Sequence, residues 1–261
     1  MAAPPEDDVL WARGLHYAYD GSPALQGVGL GVREREIVSI AGPRGSGKTT
    51  LLACLSGRLL PATGEVWFGN VPVHTLGRSG RERLRREHFG WIGSGPELVP
   101  ELTAWENVAL PLLLRGTGHR AARTAAHEWL ERLDIGGCAR VRPAGLLQSQ
   151  RQRVAISRAL AHSPAVLFAD EPTAPLHQVE RLRALRALTA AARSHGITVV
   201  LASHDPAAVA TAAGGGDPAA RLHDSAGAML VDRCVALVDG RRPQAAPAPE
   251  PEGSAECSLS A

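Results

Sequence analysis

Residues 42–49 read Gly-Pro-Arg-Gly-Ser-Gly-Lys-Thr and fit the pattern G-x-x-x-x-G-K-[ST]. No other stretch constrains the fold as tightly. Gly42, Gly45 and Gly47 let the backbone turn sharply and aim successive N–H groups at one anion. Such a loop needs a strand to deliver it and a helix to leave it, because the helix N-terminus adds unpaired N–H groups and the positive dipole end. The flanks meet that need. EIVSIAG (36–42) is a near-continuous apolar run of strand length, and TTLLACLSGRLL (49–60) is expected to be an amphipathic helix. The anion is expected to be a nucleoside triphosphate, ATP. Gly42, Pro43, Arg44, Gly45, Ser46, Gly47 and Thr50 would line the phosphates, Lys48 would reach the β and γ groups, and the Thr49 hydroxyl would face Mg²⁺.

A triphosphate site needs carboxylates at the end of a second strand. AVLFADEP (165–172) supplies Asp170, placed to hold Mg²⁺ through a water, and Glu171, a general base for the attacking water. TVVLASHD (198–205) brings His204 to the end of a third strand, within reach of the γ-phosphate and that water. These apolar runs suit strands buried on both faces, and open α/β sheets bind ligands at the carboxyl ends of such strands.

The chain has 261 residues, of which 44% are apolar and 21% charged, enough for one domain with its own core. A net charge of +2, with no basic run interleaved with aromatics, argues against nucleic acid as a partner. Cys54, Cys138, Cys234 and Cys257 form no C-x-x-C pair and are expected to be free thiols. The start, MAAPPEDDVL, lacks the features of a signal peptide, and no apolar run reaches the roughly 18–20 residues of a membrane span. Residues 1–8 and the Pro/Ala/Glu/Ser-rich 243–261 are expected to be loose tails around one domain, 9–242. From about 95 to 160 the chain reads as helices, LTAWENVALPLLLRG, ARTAAHEWLERLDI and QRQRVAISRALAH, predicting a helical subdomain inserted in the α/β core. Residues 206–227 are small and Gly/Ala-rich and read as a loop.

Together, the phosphate loop, ADEP, His204 and the run RQRVAISRALAHSPAVLFADEPT resemble the ATP-binding subunits of ABC transporters. PELTAWENVALPLL is closest in pattern to the lipoprotein-releasing, macrolide-exporting and cell-division branch. The resemblance implies a P-loop NTPase core with a mixed, mainly parallel sheet, an N-terminal antiparallel β region and the helical insertion. It places Tyr19, in HYAYDG, where the family stacks an aromatic on adenine. It implies ATP hydrolysis at a dimer interface, driving a separate membrane permease, with each ATP capped by the neighbour's signature loop. It further implies a cytoplasmic subunit on the inner face of the plasma membrane, touching the membrane only through the permease.

The signature loop departs from the family's Leu-Ser-Gly-Gly-Gln. Here it reads Leu146-Leu147-Gln148-Ser149-Gln150. A leucine side chain donates no hydrogen bond, and Gln148 is bulky where the backbone must approach a phosphate. Ser94 stands where the family has a Gln on Mg²⁺, reaching the metal only through water. Pro175-Leu176-His177 replaces an Ala-Leu-Asp turn. The chain's own ATP-binding residues are intact, whereas those it offers a neighbour are altered. Two arrangements stay open: a heterodimer with one good site, or a homodimer with slow turnover. A regulatory or mechanical ATP-binding subunit is the alternative to a transport motor.

Overall fold

The structure is a computed structural model that describes residues 5, 7–174, 176, 178–204 and 230–242. The expected tails (all but residues 5, 7 and 8), the 206–227 loop, Pro175, His177 and Cys257 lie outside the described residues. Asp8, assigned to the tail, instead opens the first strand.

Two sheets form. The first is antiparallel, in the order β2-β1-β4-β5. Its strands are β1 (Asp8–Tyr19), β2 (Ser22–Arg33), β4 (Thr63–Phe68) and β5 (Val71–Pro72). The second is β6-β7-β8-β3-β9, parallel at every described pairing. It holds β3 (Ile37–Ala41), β6 (Phe89–Ile92), β7 (Val166–Asp170), β8 (Thr198–Ser203) and β9 (Arg233–Ala236). The expected parallel core and N-terminal antiparallel region are both present, and the mixture lies between the sheets rather than within the core sheet.

Side-chain alternation along the core strands divides the interior in two. Val38, Ile40, Val166, Phe168, Val200 and Ala202 face the antiparallel sheet. Ile37, Leu167, Ala169, Val199 and Leu201 face the other way. There they meet the helices α3 (Ala104–Leu114), α4 (His119–Arg132), α5 (Gln148–Leu160) and α6 (Gln178–Ser194). The helix after the phosphate loop, α1 (Lys48–Leu55), is wedged between the two sheets. It is therefore buried on nearly every side, and not amphipathic as its sequence predicts.

Two helices were not read from sequence. One is α2 (Arg78–His88), which buries only Leu84 and so has no apolar stripe. Arg78–Glu82 and Arg83–Glu87 pairs at 2.8 and 2.9 Å support its exposed face. The other is α6, which packs on the core through Ala184, Leu188 and Ala192, four residues apart. No helix among the described residues is long and apolar enough to cross a membrane.

Candidate nucleotide site

The ends of β3, β7 and β8 lie side by side. The Gly42 N–H donates to the Ser203 carbonyl at 3.3 Å, and the Glu171 N–H to the Ala202 carbonyl at 3.1 Å. The three predicted segments thus open onto one edge of the sheet. A β1–β2 hairpin reaches the same place. Its two-residue Asp20-Gly21 turn has φ 44 and 86°, the positive pair that suits the twist of two antiparallel strands. The turn leaves Tyr19 at the end of β1, with its hydroxyl 3.5 Å from the Thr50 hydroxyl.

The phosphate loop is shaped by what its glycines must avoid. Gly47 has φ 94°, and a Cβ there would collide with the Ala24 carbonyl. At Gly42 a Cβ would stand 2.7 Å from the Ser46 hydroxyl and overlap the Leu237 carbonyl. Lys48 Nζ donates to the Gly42 and Pro43 carbonyls at 2.8 Å each and lies 3.9 Å from Glu171 Oε1. Burial lowers the Lys48 pKa, and Glu171 and Asp170 oppose that shift.

The Thr49 hydroxyl donates to Asp170 Oδ1 at 3.1 Å. Burial raises the Asp170 pKa, against the hydrogen bond from Thr49 and the charge of Lys48. The Thr49 hydroxyl and the Asp170 carboxylate are two adjacent hard oxygen donors, so the residues present fit Mg²⁺. Glu171 Oε2 accepts a hydrogen bond from His204 Nδ1 at 2.6 Å. That contact fixes one carboxylate oxygen and leaves Oε1 directed towards Lys48.

One cavity of about 500 Å³ gathers these groups. Tyr19, Arg44, Gly45, Gly47, Lys48, Thr49, Thr50, Ser94, Asp170, Glu171 and His204 line it. Gly42, Pro43 and Ser46 back the loop without lining the cavity. Ala24 and Ala174 also line it and were not foreseen, since an alanine carries no chemical signal in a sequence. Leu146–Gln150 are not part of the lining. Leu146 is buried, Leu147 is 68% exposed, and Gln148 is exposed at the start of α5.

A parallel sheet with a glycine-rich loop running into a buried helix, and carboxylates at the end of β7, one strand removed from the strand before the loop, defines a P-loop nucleotide-binding protein. The comparisons refine that class. A family model described as ABC transporter matches residues 25–174. The chain is 37% identical over 217 residues to the uncharacterized ABC transporter ATP-binding protein YbbA of Escherichia coli K12, spanning 83% of this chain and 87% of that protein. It is 38% identical over 194 residues to the lipoprotein-releasing system ATP-binding protein LolD of Paramagnetospirillum magneticum, spanning 74% and 86%. Among solved structures, the dimeric ATP-binding cassette MJ0796 bound to ADP and Pi in a post-hydrolysis state superposes with a TM-score of 0.76. It is 31% identical and covers 90% of this chain and 97% of that one. The chain belongs to the ABC transporter family, as an ATP-binding subunit with ATPase chemistry.

Proposed function

We propose that this chain is the ATP-hydrolysing subunit of an envelope-acting ABC transporter, seated on the inner face of the membrane through a separate permease and paired with a second ATPase subunit. The observation that carries the reading is convergence: the phosphate loop, Asp170, Glu171 and His204 line a single cavity. The resemblance to LolD supports the lipoprotein-releasing and exporter branch. The helices α3, α4 and α5, packed on one another within 95–160, act as the subdomain that meets the permease.

Each side chain has a role in that reading. Tyr19, 48% exposed at the cavity mouth, stacks on adenine. The loop N–H groups and Lys48 neutralise the phosphates. Thr49 and Asp170 would hold Mg²⁺, with Ser94 reaching it through water; an ion bound there would offset negative charge on the terminal phosphate. Glu171 Oε1 takes a proton from water as the water oxygen bonds the γ-phosphorus and the bond to the β–γ bridging oxygen breaks, giving ADP and phosphate. His204 keeps Glu171 oriented throughout. Leu147, exposed at the loop that would cap a neighbour's ATP, favours a second reading, a subunit that binds ATP firmly and turns it over slowly.

The test is Mg-ATP hydrolysis by the purified chain at high concentration, with Glu171→Gln as blank and nucleotide binding measured alongside. Turnover above the blank supports a homodimeric motor. Binding without turnover supports a heterodimer or the regulatory reading. Failure to bind ATP removes the site assignment.

A further inference from the structure

The phosphate loop is held from behind as well as by the strand and helix that flank it. Residues 237–241 follow β9 and line no part of the cavity, yet they touch both limbs of the loop. On the first limb, the Leu237 N–H donates to the Ala41 carbonyl at 2.8 Å, and the Leu237 carbonyl stands where a Gly42 side chain would begin. On the second limb, the Gly240 N–H donates to the Ser46 carbonyl at 3.1 Å. Gly240 and Ser46 are both buried, so water is not at hand to replace this bond. Between these contacts the chain makes a two-residue turn. Val238 and Arg241 exchange backbone hydrogen bonds of 2.9 Å each, and Asp239 and Gly240 have φ 47 and 70°.

The bond to Ser46 reaches the cavity through peptide geometry. A trans peptide is planar, with its C=O and N–H pointing in opposite directions. Pinning the Ser46 carbonyl on Gly240 therefore turns the N–H of the next residue, Gly47, away from the turn. Gly47 lines the cavity. One side chain fastens the turn to β2. The Gln26 N–H donates to the Gly240 carbonyl at 2.8 Å, its Nε2 to the Asp239 carbonyl at 3.0 Å, and its Oε1 accepts from Arg241 Nη2 at 2.8 Å. Two residues earlier on the same strand, the Ala24 carbonyl sits against both Gly47 and Gly240, and a Cβ on Gly240 would lie 2.6 Å from it. Strand, turn and loop are thus packed in one stack, with Gln26 spanning its outer side.

We propose that Gln26 is a positioning residue for the phosphate loop: by holding the turn at 239–241, it keeps the Ser46–Gly47 peptide in the orientation that presents the Gly47 N–H to phosphate. This deepens the nucleotide reading above and rests on it. Gln26 touches no nucleotide and acts through Gly240 and Ser46. Its effect falls on affinity, and equally on ATP and ADP, because the loop wraps phosphates that both carry. Glu171 and His204 stay in place, since their partners are Lys48, Ala202 and each other rather than the turn.

The test measures Kd for Mg-ATP and Mg-ADP in a Glu171→Gln background, where turnover does not interfere, with the denaturation midpoint of the nucleotide-free chain alongside. Gln26→Met keeps the backbone bond and the length of the side chain but removes both side-chain hydrogen bonds. It is expected to raise both Kd values about tenfold, with their ratio held within about twofold. Unchanged Kd values overturn the proposal even if the midpoint falls, since the contacts then only stabilise the fold. A loss confined to one nucleotide also overturns it, because the effect then lies outside the phosphates the two share. If Gln26→Met does not fold, Arg241→Met, at an exposed position, releases the same side chain from its other end. Both Kd values must then rise with Arg241→Met, and unchanged values overturn the proposal. If the Glu171→Gln parent binds neither nucleotide, the nucleotide reading falls first and this inference falls with it.

Discussion

Glu171 sits in a costly backbone conformation. Its φ of 49° is left-handed, a region that costs a non-glycine residue of order 1–3 kcal/mol and persists only where surrounding contacts impose it. Three contacts do so: the bond from its N–H to Ala202, the His204 side chain, and a clamp one residue on. In that clamp the Nε2 of Gln152, fully buried on α5, donates to the Pro172 carbonyl at 2.5 Å. Gln152→Ala leaves this carbonyl unpaired at a cost of about 1–3 kcal/mol. The larger effect falls on geometry, because displacement of a reacting group by about 1 Å lowers rates by up to ~10²-fold. Turnover of Gln152→Ala is therefore expected to fall well below the parent's while ATP affinity, set by the loop, stays close to it. Parallel measurement of kcat and nucleotide Kd checks this, and an equal loss in both would mean the clamp holds the whole site rather than Glu171.

Helix α5 links the site to the signature loop, and its two ends carry separate predictions. Leu147, its N-cap, has extended φ and ψ of −64° and 158°, and Gln150 Oε1 accepts the Leu147 N–H at 2.9 Å. A leucine offers no oxygen to the next turn's N–H groups, so half of a capping box is missing. Leu147→Ser supplies it and gives up little burial, so the denaturation midpoint of the isolated chain is expected to rise, by about 0.5–2 kcal/mol of stability. Beyond the other end, His162 Nε2 donates to the Phe89 carbonyl at 3.2 Å, and its Nδ1 has no partner among the described residues. Burial, with help from Arg115, lowers its pKa below the ordinary 6.5. The unfolded chain therefore binds this proton more readily. The stability His162 contributes is complete above the unfolded value and is lost as pH falls through the folded one. His162→Gln, which keeps a neutral donor, is expected to flatten the fall in denaturant midpoint between about pH 7.5 and 5.5. Elements like α5 also show where the sequence stops being readable. The segments that became β3, β7 and β8 were legible because strands covered on both faces must be apolar throughout, and the residues closing them proved to share a cavity. Arg158 and Gln152 were not, since their partners are backbone carbonyls 61 and 20 residues away, which no side-chain pattern encodes. The character of α1 is not legible in its sequence because Lys48 and Thr50 are buried against the loop carbonyls and the Tyr19 hydroxyl, leaving only Thr49 of the helix exposed.

At the scale of the whole molecule, the cavity and the altered signature are different surfaces of one chain. Leu147 and Gln148 are exposed and Ser149 half-buried, so the loop can be rebuilt without disturbing the core. In a homodimer every ATP meets this loop, and restoring Leu147→Ser, Gln148→Gly and Ser149→Gly together returns side-chain and backbone donors to the transferred phosphoryl group. One such donor is worth about 2.7–4 kcal/mol of barrier in oxyanion sites, roughly 10²–10³ in rate. Homodimer turnover is therefore expected to rise. Steady-state turnover of the parent and the rebuilt loop measures that rise directly. A midpoint that rises through Leu147→Ser with turnover unmoved would separate the helix cap from catalysis and place the limiting defect at Ser94, inside the cavity.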